Sequence, residues 1–338
     1  MRSEKRKRNK KLIKIISLAA AGLAILAAVS LIITNFFIPV KYLSAYFVHA
    51  DKNAEGVMRV TFVDVGFGDC TVVEFPDGKT ALIDAGDGSY SATRRIFAAL
   101  NSKGIDKIDF LVATSVREDT CGGFEDIFKY KSVGAVFAPY CPVTYMNAGY
   151  NSFSRAVEES GITPVYLQYG VNITAADGYR FFALSPTGVE NEGSEIASML
   201  DEPTRYNIDN ASAVLWLEYG GVKFLLAGNV NEYVQYKLCN LSALGAEIDG
   251  EVIDISGCSV LKVPNRGAES AAFKGLYDTF KPQTAIMSVG VNALGCPSVN
   301  ALTYAQSQVG DKLYRTDCNG NITVTVSGGS YTVQKELN

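Results

Sequence analysis

The chain has 338 residues, with 31 Lys and Arg against 35 Asp and Glu and a single histidine. Charge is unevenly spread: the first fourteen residues carry eight bases and one acid, a sum of +7, which leaves −11 on the remainder. An acidic body without a basic stripe excludes strong non-specific nucleic-acid binding, and one histidine excludes a histidine-built metal centre.

In chain order, residues 1–14 form a basic head: Arg2, Lys5, Arg6, Lys7, Arg8, Lys10, Lys11 and Lys14 against Glu4. Residues 15–38 read as a transmembrane anchor, an uncharged apolar run long enough to cross a bilayer as a helix. A cleaved signal peptide is the rival reading. The small-residue site at Val48-His49-Ala50 lies well past the apolar core, however, and the run exceeds a usual signal segment. The bases should stay cytoplasmic, giving a single-pass protein of the cell membrane with its C-terminal domain extracellular. A single span supplies no channel for importing DNA. Residues 39–57 read as a stalk and 58–338 as the ectodomain.

From Met58, β-branched runs separated by Pro-Asp-Gly and Gly punctuation predict strands and hairpins. MRVTFVDVG, CTVVEF and TALIDAG come first, then a helix over 91–103 and the buried strand IDFLVATS. VGAVFAPY, a helix in SFSRAVEESG and a strand in TPVYLQYG repeat the alternation. YRFFALSP precedes a polar loop over 188–210, and SAVLWLEY and VKFLLAGN flank a Gly-Gly turn. A helix, SVLKVP, a helix near 270–280, TAIMSVG, a helix near 298–309 and a closing hairpin complete the pattern. It predicts an α/β fold with two sheets. Seven scattered cysteines (Cys70, Cys121, Cys141, Cys239, Cys258, Cys296, Cys318) contain no C-x-x-C pair, and most of them read as small buried apolar residues.

Several strings, in order, carry a resemblance. They are Phe62-Val63-Asp64-Val65-Gly66-Phe67-Gly68-Asp69, Pro76-Asp77-Gly78-Lys79 with Leu82-Ile83-Asp84-Ala85-Gly86, and Ile108-Asp109-Phe110-Leu111-Val112. Leu217-Glu218-Tyr219-Gly220-Gly221, Phe224-Leu225-Leu226-Ala227-Gly228, Leu261-Lys262-Val263, Ser288-Val289-Gly290 and Tyr314-Arg315-Thr316-Asp317 follow. Together they resemble the metallo-β-lactamase fold, and within it the extracellular hydrolase-like domain of ComEC-type DNA-uptake proteins. The resemblance implies a four-layer αββα sandwich.

It also implies a metal site, which in that family needs His and Asp converging from several loops to bind zinc-like ions and activate water. The family's first loop reads Thr-His-x-(His/Asp)-x-Asp-His-x-Gly-Gly; here Thr114 to Gly123 reads T-S-V-R-E-D-T-C-G-G. Ser115, Arg117 and Thr120 stand at ligand positions and only Asp119 persists. Later ligand positions hold Asn229, Asn265, Arg266 and Cys296. Hydroxyls and amides bind zinc poorly, and a guanidinium cannot ligate. No bound metal and no catalytic residue are therefore expected, these positions being vestigial. Arg117 or Arg266 is expected to pair with Asp119 in place of the metal charge, and the two are candidates for holding a small anion. Asp64, Asp69 and Asp84 are expected mainly to cap backbone amides. The favoured reading is a non-catalytic binding or assembly protein with a protein partner or small anionic ligand at the old cleft. The alternatives are a zinc- or manganese-dependent hydrolase, of nuclease or phosphodiesterase type, with an oxygen-ligand site, and a thiol module built on Cys121 and Cys296.

Overall fold

The computed structural model describes residues 2–37, 40–140, 147–176, 178–187 and 204–337, in two compact units, 1–47 and 48–338. Most of the predicted polar loop, and Cys141, lie outside the described residues. In the first unit one helix, α1 (Arg2–Phe37), runs through both the basic head and the apolar stretch. Its segment Asn9–Ile32 is long and apolar enough to cross a membrane. At 1.5 Å per residue it reaches about 36 Å, more than the roughly 30 Å hydrocarbon core. A 3-10 helix at Val40–Tyr46 occupies part of the predicted stalk.

The second unit holds two large mixed sheets. The first is built from β1 (Met58–Phe62), β2 (Thr71–Glu74), β3 (Thr80–Ile83), β4 (Lys107–Val112), β5 (Ser132–Ala138) and β6 (Val165–Tyr166). The closing hairpin of β16 (Ile322–Ser327) and β17 (Ser330–Lys335) joins it beside β1, in the order β17-β16-β1-β2-β3-β4-β5-β6. The second sheet uses β7 (Asn172–Ala176), β8 (Tyr179–Ser185), β9 (Val214–Tyr219), β10 (Val222–Leu226), β13 (Val260–Lys262), β14 (Thr284–Met287) and β15 (Leu313–Arg315). Its order is β15-β14-β13-β10-β9-β8-β7. A separate small hairpin, β11 (Ala246–Ile248) with β12 (Glu251–Ile253), follows the helix Glu232–Leu244.

Strand alternation assigns the layers. Val73, Ala81, Ile83, Val112 and Phe137 of the first sheet share one core with Phe181, Ala183, Leu215, Leu217 and Phe224 of the second. The intervening residues face outward. Phe182, Leu184, Val214 and Trp216 pack against Val234, Leu238, Leu276 and Ala301 of the helices on that side. On the other side Val72, Leu82, Leu111 and Val136 are equally buried, as are Ile96, Phe97 and Leu100 of α2 (Tyr90–Ser102). The result is the expected four-layer αββα sandwich.

Local departures from the sequence reading have simple causes. TPVYLQYG supplies only the two-residue β6, whose Val165 and Tyr166 are exposed, and the pattern did not mark β7. Both are edge strands without two-sided burial, so their residue pattern is weak. The helix read in SFSRAVEESG starts earlier, at Ala148, because Asn147 caps it by accepting the Tyr150 N–H.

At one edge of the sandwich the loops following β1, β3 and β4 meet those following β10, β13 and β14. All of β10, β13, β14 and β15 run parallel, so their C-terminal ends point the same way, the usual place for a site in α/β sheets. The loop after β4 also meets the segment leading into β9 backbone to backbone: the Ala213 N–H donates to Thr114 O at 2.7 Å. Glycine makes such approaches possible. A Cβ on Gly123 would lie 2.2 Å from Ala85 O, and one on Gly290 2.3 Å from the Gly66 carbonyl carbon. Gly123→Ala should therefore lower stability by about 3 kcal/mol, as overpacking against backbone does. Urea unfolding of the variant tests this, and an unchanged midpoint would refute the tight approach.

Candidate functional site

Each sheet delivers part of a charged cluster to this edge. Asp69 precedes β2, and Ser115 to Thr120 follow β4, with Asp119 in the one-turn helix α3 (Glu118–Cys121). From the second sheet come Asp209 on the helix Arg205–Asn210, Asn229 after β10, Lys262 at the end of β13, and Asn265 and Arg266 in the 3-10 turn Pro264–Gly267.

Arg117 clamps Asp119 with two hydrogen bonds, Nε to Oδ1 at 3.0 Å and Nη2 to Oδ2 at 2.8 Å, while its Nη1 donates to Asp209 Oδ1 at 2.7 Å. Arg266 is 1 % exposed. Its Nη2 lies 3.0 Å from Asp119 Oδ1 and 3.5 Å from Asp69 Oδ2, and its Nη1 donates to Asn229 Oδ1 at 2.9 Å. Lys262 Nζ meets the other Asp69 oxygen at 2.6 Å. The guanidinium of Arg266 also lies over the Phe67 ring, 5.1 Å from its centroid. Three cations thus face three carboxylates in a chain running Lys262, Asp69, Arg266, Asp119, Arg117, Asp209.

The neutral residues complete the lattice. Asn229 Nδ2 donates to Ser115 Oγ at 3.2 Å, and Ser115 Oγ lies 2.8 Å from Thr120 Oγ1. Asn265 Nδ2 reaches Asp209 Oδ2 at 3.3 Å and Asn231 Oδ1 at 3.2 Å. Asn265 and Arg266 both have left-handed backbones, with φ of 46° and 55°. Such conformations are costly outside glycine, and these many side-chain bonds hold them. Cys296 remains in its own loop, where Asn292 binds its N–H and C=O. It forms no disulfide with Cys121, whose thiol donates to Arg117 O at 2.9 Å; all six described cysteines are unpaired.

Asp64 and Asp84 cap amides as expected: Asp64 Oδ1 accepts the Gly66 N–H, and Asp84 Oδ1 accepts the Thr114 N–H at 2.8 Å. Asp69 does not. Its buried carboxylate spends its oxygens on Lys262 and Arg266, because a charge so enclosed requires cations and not merely dipoles. Sequence reasoning missed Lys262 and Asp209. A lysine between Leu261 and Val263 on an apolar strand was a readable signal, since a buried ammonium needs a carboxylate. Nothing local singled out Asp209.

Charge and burial shift the titrations. Burial alone would raise Asp69, but Lys262 and Arg266 outweigh it and hold the carboxyl below its usual range. Burial raises Asp209 despite Arg117. Asp84 is pushed up to about 7, first by burial and then by the charge of Asp69.

This donor set does not suit a zinc-type ion. The carboxylates of Asp69, Asp119 and Asp209 already meet cations, and the remaining groups are hydroxyls and amides. Among the described residues no group of three or more His, Cys, Asp or Glu is placed to hold a metal. An anion would fare little better, since at Arg117 or Arg266 it would have to displace a carboxylate. A cleft of about 660 Å³ opens above the cluster, with Phe67, Asp87, Glu118 and Arg205 on its walls beside Arg117 and Asp209.

Two mixed sheets, packed face to face between helices and sending their loops to one edge, decide the architecture. The four-layer arrangement is consistent with a metallo-β-lactamase fold. In sequence the chain is similar to ComE operon protein 3 of Bacillus subtilis (strain 168), 25 % identical over 292 residues, covering 82 % of this chain and 34 % of that protein. The chain therefore spans about a third of the length of the curated relative it matches. Among solved structures it is similar to a CmlA β-hydroxylase mutant, at a TM-score of 0.47 and 12 % identity over 80 % of this chain and 54 % of that one. It is also similar to a diphosphatase from the PhnP family, at 0.42 and 12 % over 80 % and 99 %. A Zn(2+)-bound PqqB from Methylobacterium extorquens gives 0.41 and 10 % over 75 % and 85 %. No family model matches the chain.

Two predictions follow from the charges. Asp119→Ala leaves buried Arg266 with the longer contact to Asp69 as its remaining carboxylate, beside the neutral Asn229, and deprives Arg117 of its bidentate partner. It should cost about 3 kcal/mol in urea unfolding, as breaking a buried pair does; a change within 0.5 kcal/mol would contradict the pairing. Asp84 is raised in the folded state, so its contribution to stability is full below the unfolded value near 4 and lost as pH rises through about 7. Asp84→Asn keeps both Thr114 bonds and tolerates the positive φ of 60°. Against wild type, it should remove a fall of up to about 1.4 kcal/mol per pH unit over that window and be at least as stable at pH 8. Parallel pH profiles of the two proteins would disprove this.

Proposed function

We propose that the chain is a non-catalytic binding or assembly domain held at the outer face of the cell membrane by one N-terminal span. The observation that carries this reading is the chain of Lys262, Arg266 and Arg117 laid through Asp69, Asp119 and Asp209. Hydrolysis on this fold uses an activated water on a metal, and these three cations oppose a metal electrostatically while occupying its carboxylates. The similarity to ComE operon protein 3 supports placing the domain in a competence-related assembly. The basic head supports a cytoplasmic N-terminus and an outward C-terminal domain.

A protein partner fits the cleft better than a free anion. Four carboxylates on its walls (Asp87, Glu118, Asp119, Asp209) outnumber the two guanidiniums of Arg117 and Arg205. Of these, Arg117 is committed to the inner lattice.

Elemental analysis of the chain purified without chelator, with an assay on single-stranded DNA and bis-p-nitrophenyl phosphate, tests the reading. It should give less than about 0.1 equivalent of zinc or manganese and no turnover, with or without added metal. A stoichiometric metal with metal-dependent cleavage would establish the hydrolase reading instead. Protease added to intact cells with an accessible outer face should digest the 48–338 unit; full protection would reverse the orientation.

A further inference from the structure

The cleft is not the only enclosed space in the fold. On the outer face of the second sheet, a cavity of about 400 Å³ opens between β8 and the helix Glu232–Leu244. Its walls are mostly apolar, with Leu184, Pro186, Tyr233, Leu238, Leu241 and Leu244 contributing. Leu244 is 77 % exposed, so the apolar surface continues out of the cavity mouth. A volume near 400 Å³ lies within the roughly 300–1,000 Å³ usual for small-molecule sites, which combine apolar walls with a few placed polar groups.

Here the placed group is Asn210, which lines the cavity and is 2 % exposed. Its Oδ1 accepts the Asn231 N–H at 2.9 Å, which fixes the orientation of the amide. Its Nδ2 is buried and has no hydrogen-bond partner among the described residues. An amide donor enclosed in this way costs free energy unless an acceptor reaches it. Lys237, whose ammonium lies 5.1 Å from the centroid of the Tyr233 ring, is on the same wall.

We propose that this cavity binds a single-chain amphiphile with an oxygen-acceptor head, of the fatty-acid class. The tail lies along Leu184, Leu238 and Leu241, and a carboxylate oxygen accepts from Asn210 Nδ2 on the side nearest Lys237. The site adjoins the charged cluster, with Asn210 next to Asp209 and hydrogen-bonded to Asn231, but it does not depend on whether that cluster is catalytic. A domain tethered beside a bilayer would meet such molecules continuously.

The test uses the full chain in phosphatidylcholine nanodiscs, photolabelled with a diazirine-bearing dodecanoate and mapped by mass spectrometry. The expected label falls on residues 233–244 as well as on the membrane span, and excess unlabelled dodecanoate removes the first but not the second. Asn210→Ala should cut the label on 233–244 at least five-fold. Leu244→Glu, at an exposed position that leaves the core intact, should do the same by charging the mouth. Label confined to the span, or label on 233–244 indifferent to competitor and to Leu244→Glu, would overturn the proposal. Residues 188–203, which connect Thr187 on the cavity wall to the helix bearing Asn210, are the competing occupant. Label on 233–244 that arises only after their deletion would assign the cavity to them and defeat the amphiphile.

Discussion

Arg266 is the side chain on which the site edge depends. It is almost fully buried, sits on a left-handed backbone, and reaches Asp119, Asp69 and Asn229 at once. Each of those partners anchors a different loop, so one guanidinium fastens the loops before β2, after β4 and after β10. Its planar fork suits this task in a way that the point charge of a lysine does not. Burying so much charge gives little net stability compared with an apolar core, yet removing any one member is costly. Such a lattice resists piecemeal change.

The same lattice shapes the rest of the edge. The glycines at 123 and 290 permit the backbones to close to the distances at which the side chains meet. Asp84 sits beneath, hydrogen-bonded to both the N–H and the hydroxyl of Thr114, and the charge of Asp69 helps to discourage its ionisation. Asn265 ties Asp209 to the turn that carries Arg266. Geometry, strain and protonation at this edge are therefore not separable properties.

Much of the architecture was legible in the sequence because its central strands are buried on both faces. ALI, FLV, AVLWL and FLL are continuous apolar runs, and turns such as Pro76-Asp77-Gly78 and Gly220-Gly221 mark their ends. β6 was read longer than its two residues, and β7 and the hairpin of β11 and β12 were not legible, since edge strands and isolated hairpins carry no such run. At the site, the positions Ser115, Arg117, Asp119, Thr120, Asn229 and Arg266 could be named from motif order and do converge. Cys296 stays outside the hydrogen-bonded lattice. Lys262 was marked only as a charge on an apolar strand and Asp209 not at all, because the contacts that pair them cross between the two sheets and no local pattern names such partners. The role of Asp69 was misjudged for the same reason: its own turn motif suggested a cap, and only the neighbouring sheet supplies its cations.

The lattice also has a kinetic aspect. Its members are drawn from positions 69 to 266, so it cannot assemble until both sheets have formed and met across a long stretch of chain. Contacts of such high sequence separation are late to form, because the entropy of closing the intervening loops must be overcome first. Interactions absent from the transition state leave the folding rate nearly unchanged and act on the rate of unfolding. The charged edge then acts as a bolt drawn after the door has shut: whatever stability it contributes appears in the lifetime of the folded domain and hardly in the rate of folding. Wherever an opened chain is lost before it can refold, lifetime is the property that matters.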